Sequence, residues 1–589
     1  MTFTIRAIRF FIALAAAAAA LVLLLGGIPS GAAPQAQVNV KLSGDMQPDG
    51  HLPDFRFIQI SPDSRYAVYV ADAETDGAYD LYSVPTTGGS DPVRLGGALP
   101  VGYEPRQFAI TPDSSQVVFI AAMEDKDFVE LFVVPITGGQ LTKLNGDLVT
   151  GGDVFQFLIS PDGAKVIYIA DQQEDQSFQL YRVNIDGSDN HPATVPLTPN
   201  GDVNRIDISS ASDWIVFSGD VLADEVYEVF SVPINGGVTN RLNFIPLAAG
   251  RSVNGYWISP DGGRVVYLAD PDTDDVFELY SAPIDGQAPP VKVNDPPVFG
   301  GDVVTARISP DSQNVAYMTY HKHPYSVGWM LYGTSITGGG STQLNVSSLP
   351  MSDPEFTPDS ARVVFVADEQ GGIIYELFSV PFDGSDVAEK LNGPLVPGGN
   401  VSHFAISPVG DAVVYAADQD TDGVQELYSV PVSGGSAAKI SGSLVPNGRV
   451  SDPFLISSDG QRVLYHADAE TDDIFEIFTV PLGGGLRTNV NGPLVPGGDV
   501  GGIYLDYQFS PDGQRVIYRA DQMTDDQYEL FATFDDSLLI TPTPTATATG
   551  TAIATPTETA TPTATLTTTI EVTPPAATSM AFVPVVMKP

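Results

Sequence analysis

One sequence unit recurs along most of the 589-residue chain, and it limits the folds that the chain can adopt. A clear copy is ISPDGGRVVYLADPDTDDVFELYSAP, from Ile258 to Pro283. Its turn proline, or a replacing serine, recurs at Pro62, Pro112, Pro161, Ser210, Pro260, Pro310, Pro358, Pro408, Ser458 and Pro511, at intervals of 48 to 53 residues. Ten copies at a nearly fixed period are typical of solenoids and of proteins with radially arranged repeats.

Each copy predicts four short β-strands. In the fifth copy, Ser259-Pro260-Asp261-Gly262 reads as a type I turn, because proline presets φ at the second position and glycine closes the turn. The predicted strands of this copy are Val253–Ser259, Arg264–Ala269, Phe277–Ala282 and Pro290–Asn294. The second strand is almost wholly apolar, as expected for a strand buried on both faces. Four strands with no helical pattern between them favour a propeller blade.

These units resemble the TolB-type, WD-like β-propeller repeats, whose hallmarks are a Ser-Pro-Asp-Gly turn, an apolar strand and then an Ile/Leu-Tyr strand. The resemblance covers roughly Gln37 to Asp535. It implies an all-β propeller fold and leaves the function open, because propellers carry many unrelated activities.

The two ends of the repeat region predict how the propeller closes. Gln37 to Met46, QVNVKLSGDM, resembles the fourth strand of a unit, whereas the last copy, from Tyr504 to Thr533, has only three strands. Pairing these ends removes an exposed sheet edge. We therefore favour a single closed ring of ten four-stranded blades. Because ten exceeds the usual four to eight blades, two smaller tandem propellers remain the alternative, with a seam near Ser209-Ser210-Ala211 or in the sixth copy.

The regions outside the repeats predict an exported protein. Residues 1–33 read as a signal peptide, with Arg6 and Arg9 before an apolar core and small residues at Ser30-Gly31-Ala32; the alternative is an uncleaved anchor. Either places the propeller, residues 37–536, outside the cytoplasm: secreted, on the cell surface or periplasmic. Residues 537–579 form a Thr/Pro-rich stretch that predicts a disordered linker. The short apolar tail, residues 580–589, is either a sorting tag or simply an apolar end.

The charge of the chain excludes several partners. It has 27 basic against 72 acidic residues, and removal of the signal peptide leaves 25 against 72, a net charge of −47. Such a field repels nucleic acid and anionic lipid surfaces. The chain has no cysteine, so disulfides contribute nothing to stability.

Part of this acidity lies in the turn between the second and third strands, with the spacing Asp-x-Asp/Glu-x-Asp-x-x-x-Asp/Glu. Calcium takes oxygen ligands from alternating carboxylates on such tight loops. The spacing is similar to the calcium loops of integrin-type propellers. The complete sets are Asp72, Glu74, Asp76, Asp80; Asp270, Asp272, Asp274, Glu278; Asp418, Asp420, Asp422, Glu426; and Asp468, Glu470, Asp472, Glu476.

A simpler interpretation is that these acids are ordinary turn residues that hydrogen-bond their own backbone. In a four-stranded blade these turns share one face with the connections between blades, so Asp153, Asp302 and Asp499 should join them. The Ser-Pro-Asp turns lie on the opposite face, where we expect their aspartates to be structural.

The sequence favours a non-enzymatic binding module for a protein or glycan, or a surface scaffold, with calcium as the candidate cofactor. It has no Gly-x-Ser-x-Gly nucleophile motif and no phosphate-binding glycine loop that opens a helix. The alternative is a polysaccharide lyase or hydrolase with a site in the propeller channel. That enzyme would need a metal–histidine cluster, for which His403 and the pair His321 and His323, in the predicted loop Thr319–Tyr325, are the candidates.

Overall fold

In the computed structural model, the chain forms ten antiparallel sheets arranged as a single ten-bladed β-propeller. The structure describes residues 38–53, 58–101, 103–123, 128–243, 247–248, 250–273, 275–295, 301–323, 326–345, 349–350, 352–368, 374–501 and 506–534. The predicted signal peptide, Thr/Pro-rich linker and apolar tail lie outside these residues. Within them, no helix is long and apolar enough to cross a membrane.

The blades are numbered in chain order, and their strands follow the order first to fourth. Blades 1 to 5 contain Ile58–Ile60, Tyr66–Ala71, Asp80–Pro85, Val93–Leu95; Gln107–Ile110, Gln116–Ala121, Glu130–Pro135, Thr142–Lys143; Val154–Ile159, Lys165–Ala170, Gln179–Asn184, His191–Pro192; Val203–Ile208, Trp214–Gly219, Glu228–Pro233, Asn240–Arg241; and Val253–Ile258, Arg264–Ala269, Glu278–Pro283, Val291–Lys292.

Blades 6 to 10 follow the same plan, except that the first strand of blade 7 is in two pieces. They contain Asp302–Ile308, Asn314–His323, Ser326–Ser335, Thr342–Gln343; Leu349–Pro350, Glu355–Phe356, Arg362–Asp368, Tyr375–Pro381, Glu389–Lys390; Val401–Ile406, Ala412–Ala417, Glu426–Pro431, Ala438–Lys439; Val450–Ile456, Arg462–Thr471, Ile474–Pro481, Thr488–Asn489; and Tyr507–Phe509, Arg515–Ala520, Glu529–Phe534, Val38–Lys41.

The second and third strands form the buried centre of each blade. The second strand of blade 5, RVVYLA, has five consecutive buried residues. Every blade has an aromatic residue on its second strand directly opposite one on its third strand, such as Tyr415 and Tyr428. The centroids of the two rings lie 5.2 to 5.8 Å apart. Cross-strand aromatic pairs stabilise sheets, so the repeated Tyr and Phe positions are core positions.

Apolar side chains also fill the space between neighbouring blades, and ten such clusters join each blade to the next. The junction of blades 5 and 6, where two five-bladed rings would part, is packed like the others. Val266 and Val303 belong to one cluster there, and the Asp261 N–H donates to Ser312 Oγ at 2.9 Å. The alternative of two smaller propellers is therefore wrong.

The N-terminal strand closes the ring as predicted. Val38–Lys41 pairs antiparallel with the third strand of blade 10, with Lys41 opposite Phe531. The Asp512 N–H donates to Ser64 Oγ at 2.9 Å across the junction of blades 10 and 1. The closing strand thus supplies the fourth strand that the last repeat lacks.

Two local predictions need correction. Thr319 to His323 is not a loop: the second strand of blade 6 continues to His323, which pairs with Ser326. Alternating polar and aromatic residues suit a strand, and this copy lacks the acidic residues that form the turn elsewhere. The predicted strand ends of the fifth copy also shift by one or two residues, as is usual for strand boundaries.

Candidate metal-binding face

The aspartates of the Ser-Pro-Asp turns accept hydrogen bonds from residues of their own turns. In blade 5 the Gly262 N–H donates to the Ser259 carbonyl at 2.8 Å, Ser259 Oγ donates to Asp261 Oδ1 at 2.6 Å, and the Gly263 N–H reaches the same oxygen at 2.9 Å. In blade 2 the hydrogen bond from the equivalent hydroxyl of Thr111 lowers the pKa of Asp113, and hydrogen bonds from Ser115 lower it further. These aspartates are structural, as predicted.

The first carboxylate of each acidic set connects two parts of the backbone. Oδ1 of Asp72 accepts from the His51 N–H at 2.6 Å, and Oδ2 from the Gly77 N–H at 3.2 Å. Asp270, Asp418 and Asp468 make the same pair of bonds, as do Asp171, Asp220 and Asp521 in incomplete sets. One donor lies in the connection from the preceding blade, and the other ends the acidic turn.

The residue that ends the turn adopts a left-handed conformation. Gly77 and Gly423 have φ of 71° and 76°, and Asp275 and Asp473 have 55° and 61°. Glycine adopts this conformation without strain, and aspartate tolerates it better than most residues do. The glycines in the first and third sets therefore serve the turn itself.

The fourth carboxylate starts the third strand and pairs with a basic side chain on the fourth. Asp80 contacts Arg94 at 3.2 Å, and Glu376 contacts Lys390 at 2.9 Å. The same cross-strand pair joins Glu130 to Lys143, Glu228 to Arg241, Glu278 to Lys292, Glu426 to Lys439, and Glu529 to Lys41 of the closing strand. In blade 9, Glu476 instead accepts from Asn489 at 2.6 Å.

The second and third carboxylates behave differently, because they are exposed at the tip of the turn. Glu74, Asp420 and Glu470 have a basic neighbour at 2.9, 3.6 and 3.8 Å. Asp76, Asp272 and Asp422 form no ion pair with any described residue, and Asp274 lies outside the described residues. Asp76, Asp272 and Asp422 are therefore middle carboxylates that remain open to a ligand.

Blade 9 brings three carboxylates together. Asp468, Asp472 and Asp473 each offer an oxygen atom, and the three atoms lie within 4.8 Å of one another. It is the one such group of metal-ligating side chains among the residues that the structure describes. Asp473 was not in the predicted set, because it follows the third position of the spacing. The protein thus has an acidic cluster that could bind a metal.

Asp153 and Asp499, in the connections between blades, lie against the acidic turns, as predicted. Their backbone N–H groups each donate to the first carboxylate of the adjoining turn at 2.5 Å, as that of Asp202 does at 2.6 Å. Burial raises the pKa of Asp202, the Phe178 N–H opposes this, and the nearby charges of Asp220, Asp171 and Asp224 raise it further. Negative charge is therefore crowded on this face.

The histidines do not form a described metal centre. The side chains of His321 and His323 lie outside the described residues, so the metal–histidine cluster with His403 that the enzyme alternative needs stays a hypothesis. His51 lies 3.6 Å from Asp72 and 3.2 Å from the Tyr79 hydroxyl. His466, to which the sequence assigned no role, is buried, and burial lowers its pKa to about 4.

Comparisons with known proteins show no family for this chain. Neither a family model nor a curated protein sequence matches the chain. Similar solved structures include an oligogalacturonate lyase in complex with manganese (14% identity, 66% of this chain, 99% of that chain, TM-score 0.35). They also include a putative TolB from Agrobacterium tumefaciens (18%, 44%, 89%, 0.26) and prolyl endopeptidases (12%, 65%, 55%, 0.34). At these identities and TM-scores, no activity can be transferred to this chain.

Proposed function

We propose that this chain is an exported, non-enzymatic binding module or surface scaffold that recognises a protein or glycan, and that calcium occupies its acidic turns. The observation that carries this proposal is the separation of carboxylates within each set. The first and fourth are held by the chain itself, whereas the described middle ones are exposed at the tips of the turns on one face of the ring. A face of this kind suits a hard cation and a partner bound through it.

Blade 9 is the strongest candidate calcium site, because Asp468, Asp472 and Asp473 offer three oxygen atoms close together. Calcium loops in extracellular modules bind with Kd of about 10⁻⁴ to 10⁻³ M. At a calcium concentration of about ten times Kd, each site would stabilise the fold by about RT ln 11, or about 1.4 kcal/mol. Magnesium should do less, since it demands stricter octahedral geometry and retains its waters.

The test of the metal is thermal unfolding of the full chain in EGTA, in calcium and in magnesium at fixed ionic strength. We expect a calcium-specific rise in unfolding temperature. An equal rise with both cations would mean general screening of the acidic face, and the metal assignments would then be wrong.

The test of binding is a glycan array and a protein array, each probed with and without calcium. We expect a defined partner whose binding weakens in the triple variant Asp76→Asn, Asp422→Asn, Asp472→Asn. Cleavage of a polysaccharide by the purified chain, lost in His403→Ala, would instead support an enzyme in the propeller channel.

A further inference from the structure

A second group of polar side chains lies where the first strands of blades 8 and 9 run side by side. Its members are Ser402, His403, Gln425 and Asp452, called the Asp452 cluster below. Ser402 Oγ donates to Asp452 Oδ2 at 3.1 Å, and Gln425 Nε2 donates to the same oxygen at 3.3 Å. Gln425 Nε2 also contacts Ser402 Oγ. The cluster therefore joins residues from two blades around one carboxylate.

The ten repeats provide an internal comparison for Gln425. It directly precedes Glu426, which pairs with the last residue of the second strand, Ala417, as Glu476 pairs with Ala467 in blade 9. Eight blades carry an aromatic residue there, and blade 2 carries Val129. The aromatic residues are Tyr79, Phe178, Tyr227, Phe277, Trp329, Tyr375, Phe475 and Tyr528. The fold accepts an apolar side chain at this position, so the amide of Gln425 is not needed for folding.

Asp452 also differs from other carboxylates in or beside the first strands. Asp207 is paired with Arg205 at 3.1 Å, Asp353 with Arg307 at 2.5 Å, and Asp506 with Arg519 at 2.9 Å. Among the described residues, no lysine or arginine pairs with Asp452. Burial raises its pKa, and His403 and the hydrogen bonds from Ser402 and Gln425 only partly oppose this. Desolvation of a half-buried carboxylate without a cation is unfavourable in free energy, and a bound cation would offset this.

The groups left free in the cluster define the ligand chemistry. Asp452 Oδ1 is a buried atom that accepts no hydrogen bond from the described residues. Within the described residues, Gln425 Oε1 and both ring nitrogens of His403 also lack a partner. The carboxylate and amide oxygens are acceptors only, and an imidazole ring nitrogen can also accept a hydrogen bond. Ser402 and His403 are exposed, so a ligand can approach from their side.

We propose that the Asp452 cluster binds a protonated amine. An ammonium group has three donors and no acceptor, so it matches the free acceptors and supplies the cation that Asp452 lacks. The net charge of −47 without the signal peptide further favours a cationic ligand over a neutral polyol. The amine comes from a free polyamine or from a lysine side chain of a protein. The cluster contains none of the carboxylates of the acidic sets, so we expect amine binding without calcium.

The test is isothermal titration calorimetry of the full chain at pH 7 with n-butylamine, and with 1-butanol as the neutral isostere. We expect saturable binding of the amine only. Hydrogen bonds to charged groups are strong enough that Asp452→Asn should weaken binding about tenfold or more. Gln425→Tyr keeps the net charge and copies the residue of other blades, so it should fold and weaken binding as well. Spermidine and Nα-acetyl-lysine methylamide then distinguish the two sources of the amine.

Asp353→Asn is the matched control, because it removes one negative charge in blade 7 from a carboxylate that already pairs with Arg307. We expect its affinity for butylamine to stay within about twofold of the original, since distant sites act independently. Equal weakening by Asp353→Asn and Asp452→Asn would mean diffuse attraction to an acidic protein and would overturn the proposal. Equal binding of 1-butanol, or no saturable binding of butylamine, would overturn it too.

Discussion

The two faces of the ring use aspartate in different ways. On the Ser-Pro-Asp face, Asp459 accepts hydrogen bonds from the Ser457 hydroxyl at 2.6 Å and the Gln461 N–H at 3.0 Å, both within its own turn. On the acidic face of the same blade, Asp468 is bound by the backbone. Asp472 is exposed, and among the described residues its one hydrogen-bond donor is Asn447 at 3.2 Å. An acidic repeat motif therefore contains both carboxylates that stabilise the turn and carboxylates that are open to a ligand. The spacing of the residues alone does not show which are which.

The largest effect should come from breaking the ring that holds both faces. Deletion of residues 37–46 removes the fourth strand of blade 10 and the ion pair between Lys41 and Glu529. We expect a loss of several kcal/mol in the free energy of unfolding, typical of losing a buried element. Chemical denaturation measures it. An added peptide with the sequence of residues 37–46 should restore part of the loss, and an unchanged midpoint would contradict closure by this strand.

The second prediction separates the carboxylates within one set. Asp418→Ala leaves the N–H groups of Asn400 and Gly423 without acceptors. The Gly423 bond is exposed and the Asn400 bond is part-buried. At about 1–3 kcal/mol for an unsatisfied buried group, we expect destabilisation by about 1–3 kcal/mol, mostly from the Asn400 N–H. Asp422→Ala, four residues away and exposed, should change stability by less than about 0.5 kcal/mol. Similar losses in both variants, measured by denaturant unfolding, would remove the distinction between structural and available carboxylates.

The third prediction concerns the cross-strand ion pairs at the fourth position. Lys390→Met keeps most of the side-chain volume and removes the charge that faces buried Glu376. Because the lysine is partly exposed, we expect a loss of about 1–2 kcal/mol, below the 3–5 kcal/mol of a fully buried pair. The double variant Lys390→Met, Glu376→Gln should recover much of the loss. No recovery in the double variant would show that the charge pair is not the cause.

Much of the fold could be predicted because the evidence for it is local and repeated ten times. The turn at Pro260, the apolar strand after it and the orphan strand at Val38–Lys41 each predicted a feature that the structure contains. The extended hairpin of blade 6 was missed because a predicted loop was copied from the other repeats onto residues that favour strands.

The site was less predictable, because its geometry depends on distant residues. The donors that bind Asp72 and Asp418 lie 21 and 18 residues upstream, in the connections. Ser402 and Asp452 are 50 residues apart and meet only because blades 8 and 9 are adjacent. The one available signal was Gln425, where most other copies have an aromatic residue, and it becomes visible only after the ten repeats are aligned on strand register.

The most direct test of the difference between the two faces is calcium titration by calorimetry of the full chain and two variants of blade 9. Asp472→Asn removes a carboxylate of the acidic face, and Asp459→Asn removes one of the Ser-Pro-Asp face, so both change the net charge equally. We expect the chain to bind calcium with Kd of about 10⁻⁴ to 10⁻³ M, Asp472→Asn to lose one site, and Asp459→Asn to keep all sites. Identical isotherms for the two variants would contradict the account.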